Sequence, residues 1–307
     1  MPTSSMPVAA AGDAPAVSTT RKPIVVGVDE TEHSLAAVDW AAWEAASRAV
    51  PLMIVHCWAW QRFAPWTTGF DQLVTGDLER NAHHTVEHAR KQAKTIADLA
   101  ITTRVAEGYP PDVLAGLAGD ATMIVLGSRH RRRAERAVLG SVSNAMAARS
   151  SCPLVVLGEP PDPPGERAGV VAGLAGSKHD HAVLAFAFDE AQRRGLPLTP
   201  MFCWHPPLPT IRPPRPELEQ AHAILAEALA GWREQFPDVE VRPSAVRAHP
   251  ADALIAAAAG QQLLVVGRRS RRERHGNLLG SVSLAVLHHA TCPVAVVPMP
   301  PARGTAS

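Results

Sequence analysis

Gly127, His130, Gly140, Ser141, Val142 and Ser143 could together hold an anion, and their spacing returns 140 residues later in Gly267, Ser270, Gly280, Ser281, Val282 and Ser283. In each copy an apolar run, Met123 to Leu126 or Leu263 to Val266, stops at a glycine. An arginine-rich loop follows and closes on Gly-Ser-Val-Ser, where helical spacing begins. A strand that ends at glycine before a loop and a helix start leaves free backbone N–H groups and the positive end of a helix dipole facing the same space. Glycine admits a ligand close to the backbone, and serine adds hydroxyl donors. The ordinary alternative is a strand–loop–helix turn with an N-capping serine. Its recurrence at the same spacing in both halves favours the anion site.

The loops carry their own charge. Arg129, Arg131, Arg132, Arg133 and Arg136 stand against Glu135, and Arg268, Arg269, Arg271, Arg272 and Arg274 against Glu273, giving each loop a local +4. Guanidinium groups beside a helix N-terminus suit a triphosphate or another polyanion, and a solvated basic loop is the plain alternative. Nucleic acid is disfavoured as a partner, because the net charge is +1 and no aromatics are interleaved with the arginines. Neither a Gly-x-Ser-x-Gly elbow nor a P-loop occurs, so no catalytic residue is assigned. His84 and His88 sit four apart on an expected helix beside His83, without the carboxylate or cysteine partners of a metal motif, and read as a solvated face. Cys57 and Cys203, like Cys152 and Cys292, are one position seen twice, which suggests structural thiols rather than a disulfide framework.

These loops need a scaffold, and the chain supplies it twice. Of 307 residues 46% are apolar and only 5% aromatic, which favours cores of Ala, Val and Leu between helices and parallel strands. Strands are expected at Ile24 to Val28, Leu52 to Cys57, Ile101 to Ala106, Met123 to Leu126 and Leu154 to Leu157. Helices are expected at Ser34 to Ala49, Gln72 to Ala100, Pro110 to Gly119 and Val138 to Arg149. The same order recurs from Val170 to Val297, at an offset of 146 up to the Cys-Trp pairs and 140 from Pro110/Pro250 onward. In the second half Glu217 to Phe236 is expected as one helix and Val239 to Val246 as a strand. The pattern predicts an α/β protein of two tandem doubly wound, Rossmann-like, five-stranded parallel sheets, with ligand sites at the strands' carboxyl ends. Residues 1–20 read as a disordered tail, 21–158 as the first domain, 159–167 as a proline-rich linker, 168–299 as the second domain and 300–307 as a tail. Trp58 and Trp204 are expected to pack in the core or wall the crevice, with stacking on a purine as the alternative. No run reaches membrane-spanning length and no signal-peptide pattern is seen at the start, so a cytoplasmic protein without a membrane partner is expected.

Val-Gly-Val-Asp at 26 to 29 followed by Ser34, the glycine-loop-Gly-Ser stretch, and Ser-Cys-Pro-Leu-Val-Val at 151 to 156 resemble the universal stress protein family in its tandem form. The likeness runs from Arg21 to Pro298. It implies an adenine nucleotide alpha hydrolase-like fold, in which many members hold ATP through Gly-x2-Gly-x9-Gly-(Ser/Thr) while another branch binds no nucleotide. By this resemblance Gly127, Gly140 and Ser141 match the motif, as do Gly267, Gly280 and Ser281, while its second glycine is replaced by His130 and Ser270. The family's first-strand aspartate is Asp29, and its counterpart in the second half is Ala175. The resemblance therefore implies ATP, with magnesium as an optional companion, held better in the first domain than in the second. It implies a stress-response regulatory or binding module; a nucleotide-free scaffold and a slow ATP hydrolase are the alternatives. A protein partner and a homodimer are left open. It also implies that the apolar fifth strands, Leu154 to Leu157 and Val294 to Val297, pair with each other.

Overall fold

The β-branched run Ile24–Val28 forms β1, which lies between two parallel neighbours, β2 (Leu52–Trp58) and β4 (Met123–Gly127). Outside them lie β3 (Ile101–Glu107) on β2 and β5 (Leu154–Leu157) on β4, both parallel. The second half repeats this with β6 (Val170–Leu174), β7 (Leu198–Trp204), β8 (Ser244–Arg247), β9 (Leu263–Arg268) and β10 (Val294–Pro298). The computed structural model describes residues 21–58, 71–128, 140–158, 168–177, 179–204, 215–268 and 279–298. The expected tails, the linker at 159–167, His130, Ser270 and all the loop arginines except Arg268 lie outside the described residues.

Strand order is β3-β2-β1-β4-β5-β10-β9-β6-β7-β8. The two five-stranded parallel sheets thus join as one ten-stranded sheet through antiparallel pairing of β5 with β10, where Val155 faces Ala295 and Leu154 faces Val296. Each edge strand covers the other's unpaired N–H and C=O groups, which explains why both can be apolar throughout.

Alternation along the strands feeds two cores. Val26 and Ile24 pack under α1 (Glu32–Arg48) and α2 (Asp71–Ile96), while Val25 and Ile124 pack under α3 (Pro110–Leu117) and α4 (Ser141–Arg149). In the second half α5 (Asp180–Arg194), α6 (Arg215–Ala228) and α7 (Trp232–Gln235) share the first core, and α8 (Pro250–Ala258) and α9 (Ser281–His289) the second. Both cores run through the two halves without a break.

Some boundaries differ from expectation. The helix expected over Glu217 to Phe236 breaks into α6 and α7, with Gly231 between them at φ +79, a conformation open to glycine. The strand expected over Val239 to Val246 shrinks to β8 plus a single bridge from Val241 to Leu198, because Pro243 interrupts it without an N–H to donate. The helices expected from Val138 and Leu279 begin at Ser141 and Ser281.

One pair of helix ends carries a prediction. α5 ends on Gly195 at φ +61, whereas α1 ends on its counterpart Ala49 at φ +50, where a Cβ is unfavourable. Ala49→Gly is expected to stabilise the protein by about 0.5–1 kcal/mol, read as a higher urea midpoint at unchanged slope. A lower midpoint would refute it.

Candidate functional site

β1 and β4 are adjacent, but the chain leaves β1 toward β2 on one side and returns as β4 on the other, so a crevice opens at their carboxyl ends. A cavity of about 110 Å³ lies there, lined by Gly27, Val28, Asp29, Ser34, Val55, Cys57, Pro110, Leu114, Leu126, Gly127, Val142 and Ser143. Asp29, Gly127, Val142 and Ser143, nominated from sequence, therefore meet around one space. Gly140 and Ser141 stand beside it as the N-cap and first residue of α4, with Ser141 exposed and Ser143 buried. As N-cap, Gly140 offers no side-chain acceptor to the first-turn amides, and no acidic residue occupies that turn.

Asp29 is half-buried, and its Oδ1 accepts bonds from the Thr31 amide at 3.0 Å and from the Thr31 hydroxyl. The Ser34 hydroxyl donates to the Asp29 and Thr31 carbonyl oxygens, at 2.7 and 2.8 Å, and thereby fixes the turn into α1. Gly127 has a structural reason to be glycine: a Cβ there would fall against the His33 carbonyl and the Ser34 amide. Its missing side chain makes room for the first turn of α1. Gly140 is different, since a Cβ there would meet no atom of the described residues within 4 Å.

Val55, Pro110 and Leu114 line the cavity without a signal in the repeated motif, and Ser34, part of the family motif, and Cys57, a repeated thiol, join them there. Strand alternation could have found two of them, because Val55 and Cys57 share the face of β2 that looks into the crevice while Trp58 belongs to the opposite parity. The lining accordingly includes Cys57 and not Trp58, so of the two places expected for that tryptophan, core or crevice wall, it does not line this cavity. Burial pushes the Cys57 thiol up to about 11, so it stays protonated at neutral pH. The other three cysteines are also free, and burial raises each thiol. His83, His84 and His88 are exposed on α2. A wider groove, about 480 Å³, lies between α6, α7 and β8, lined in part by His222, Arg233 and Glu234; it contains none of the repeated motif.

The second half keeps the helix terminus and changes the turn. Gly280 caps α9 at φ −65 and ψ 147, close to Gly140 at φ −58 and ψ 146, and Ser281, Val282 and Ser283 begin the helix as in the first half. The Ser283 hydroxyl donates to the Gly267 carbonyl at 2.9 Å. At the turn after β6, Ala175 replaces Asp29 and Asp180 replaces Ser34. Asp180 is buried, and its two oxygens accept from the Ala175 and Ser177 amides, each at 3.0 Å. Arg268, expected to face an anion, instead reaches the first half. Its Nη1 donates to the Ala148 and Ser150 carbonyls, at 3.2 and 2.6 Å, at the negative end of α4.

Doubled, doubly wound α/β halves with a helix-terminus crevice at the switch point define a tandem protein of the adenine nucleotide alpha hydrolase-like fold. The chain belongs to the universal stress protein family, whose model matches it twice, over residues 20–158 and 168–298. A universal stress protein of Mycolicibacterium smegmatis is 37% identical over 292 residues, spanning 91% of this chain and 98% of that protein. Universal stress protein Rv2623 of Mycobacterium tuberculosis is 32% identical over 286 residues, spanning 89% and 95%. Among solved structures, a universal stress protein from Archaeoglobus fulgidus superposes with a TM-score of 0.70 at 15% identity over 90% of this chain and 98% of that one, a likeness of fold. Among the described residues no helix is long and apolar enough to cross a membrane.

Proposed function

We propose that the first half binds an adenine nucleotide, ATP foremost, with magnesium optional, and that the chain serves in the cytoplasm as a nucleotide-responsive stress-response module rather than a turnover enzyme. The observation that carries this is the meeting of Asp29, Gly127, Val142 and Ser143 around one cavity at the switch point, beside an α4 N-terminus with no side-chain cap and no acidic residue in its first turn. At about 110 Å³ the crevice, open on one side, is smaller than the ~300 Å³ from which ligand pockets usually begin. It would take the adenosine portion next to Asp29, and the phosphates would lie across Gly140 and Ser141, where amides and the helix dipole favour negative charge.

Calorimetric titration with ATP, with and without magnesium, tests the proposal. Gly140→Ala is the informative variant, because its methyl group meets no atom of the described residues within 4 Å and φ −58 suits alanine. It is expected to cost the fold no more than about 1 kcal/mol, the usual preference for glycine over alanine at an N-cap, while weakening ATP by about tenfold, or ~1.4 kcal/mol, by entering the phosphates' space. Asp29→Ala should weaken binding by a similar factor through the adenosine portion. Failure of the unmodified chain to bind would refute the proposal in favour of a nucleotide-free interaction protein.

A further inference from the structure

Asp180 stands where the first half has Ser34, and it changes what the turn after the first strand of each half can offer a ligand. In the first half the Thr31 amide is taken by Asp29, whose carboxylate stays half-exposed at the cavity. In the second half the equivalent amide, that of Ser177, is taken by Asp180 from the helix side, and the same carboxyl group also takes the Ala175 amide. Gly176 lies between these two donors at φ +69, and a Cβ on it would press on the Phe202 ring at 2.9 Å. The turn is thus wrapped around the protein's own acid, which is only 4% exposed.

Two other features close the same place. Met201 occupies the register position of Val55, opposite Gly173 as Val55 is opposite Gly27, and sets a longer side chain on the crevice floor. Ser283 has committed its hydroxyl to the Gly267 carbonyl. The helix terminus itself is not the difference, because α4 and α9 begin with matching backbone angles.

We propose that Asp180 is a built-in occupant of the second half's site: it takes the turn's amide donors, sets a negative charge beside the crevice, and leaves the chain with one nucleotide site rather than two. The inference rests on the nucleotide reading of the first half. It makes the second half a support for the first, joined to it by the continuous sheet.

Calorimetry on the full chain with ATP, with and without magnesium, reads the stoichiometry directly. One equivalent is expected for the unmodified chain. Ala175→Asp combined with Asp180→Ser gives the second turn the first turn's pattern and is expected to add a second equivalent. The converse change, Ser34→Asp, is expected to weaken the first site by about tenfold or more through like-charge repulsion and capture of the turn's amides, with circular dichroism unchanged. Two equivalents of comparable affinity in the unmodified chain would overturn the proposal. So would a folded graft that stays at one, or a Ser34→Asp chain that binds as before. If the graft does not fold, Ser34→Asp decides. No binding by the unmodified chain would sink the nucleotide reading of the first half instead, and the graft would still decide the role of Asp180: a gained equivalent upholds it and none overturns it.

Discussion

Replacing Arg194 with alanine is expected to cost the fold about 3–5 kcal/mol, the penalty for stranding buried charge. Arg194 lies near the end of α5 and reaches into the other half, with Nη2 on Glu44 at 2.8 Å and Nε on Glu190 at 3.0 Å. Its guanidinium also lies over the rings of Trp43 and Trp40, at 4.4 and 5.2 Å. Both glutamates are wholly buried, and the offset of 146 that relates the halves turns Glu44 into Glu190 and Arg48 into Arg194. Arg48 completes the pseudo-twofold arrangement, bonding Glu44 at 2.5 Å, Asp189 at 2.6 Å and Glu190. Alanine at 194 would leave two enclosed carboxylates to Arg48 alone. Urea unfolding would measure the loss. A second change, Glu44→Gln, should return part of it, so that the double variant costs less than the two single ones together. A loss under about 1 kcal/mol would show that the cluster behaves as an exposed surface pair, refuting its role as a bolt between the halves.

Little of that bolt is visible in the sequence, and the reason is physical. Glu44 and Arg48 are spaced i, i+4 on an amphipathic helix, a pattern that ordinarily marks a solvated face. They become interior only because α5 covers α1, and that contact depends on β5 meeting β10 far away in the chain. The strands were legible, because apolar β-branched runs ending at glycine or Cys-Pro carry their own signal, and the pairing of the fifth strands was implied by the family resemblance, to which their lack of edge protection added. Local chemistry blurred other boundaries: Gly231 breaks one helix and Pro243 shortens one strand. At the site, the residues of the repeated motif were legible because they recur. Val55, Pro110 and Leu114 were not singled out, and Ser34 and Cys57 were given no place in the site, since they enter through packing around the cavity rather than through the repeated motif. Asp180 was hidden for a related reason. A missing aspartate at 175 reads as a simple loss, and only the fold shows that an acid has returned five residues later, facing inward.

The same buried cluster makes stability depend on pH in a direction opposite to that of most paired carboxylates. Burial and the neighbouring Glu190 carboxylate push Glu44 up to about 7, against the pull of Arg48 and Arg194; Asp189 and Arg193 flank the group from α5. Below about pH 4.5 this side chain is protonated in both the folded and the unfolded chain and has no effect on their balance. Between about 4.5 and 7 the unfolded chain releases the proton while the folded chain keeps it, so stability falls as pH rises. Above pH 7 the contribution stays lost. Glu44→Gln cannot titrate at this position, yet it keeps a neutral side chain able to donate to Glu190. Urea midpoints of the two proteins from pH 4 to pH 8 should therefore diverge, the unmodified chain losing stability relative to Glu44→Gln across the window and running parallel to it beyond. Parallel curves throughout would mean that Glu44 is ionised in the fold at every pH tested, with the arginines outweighing both burial and Glu190.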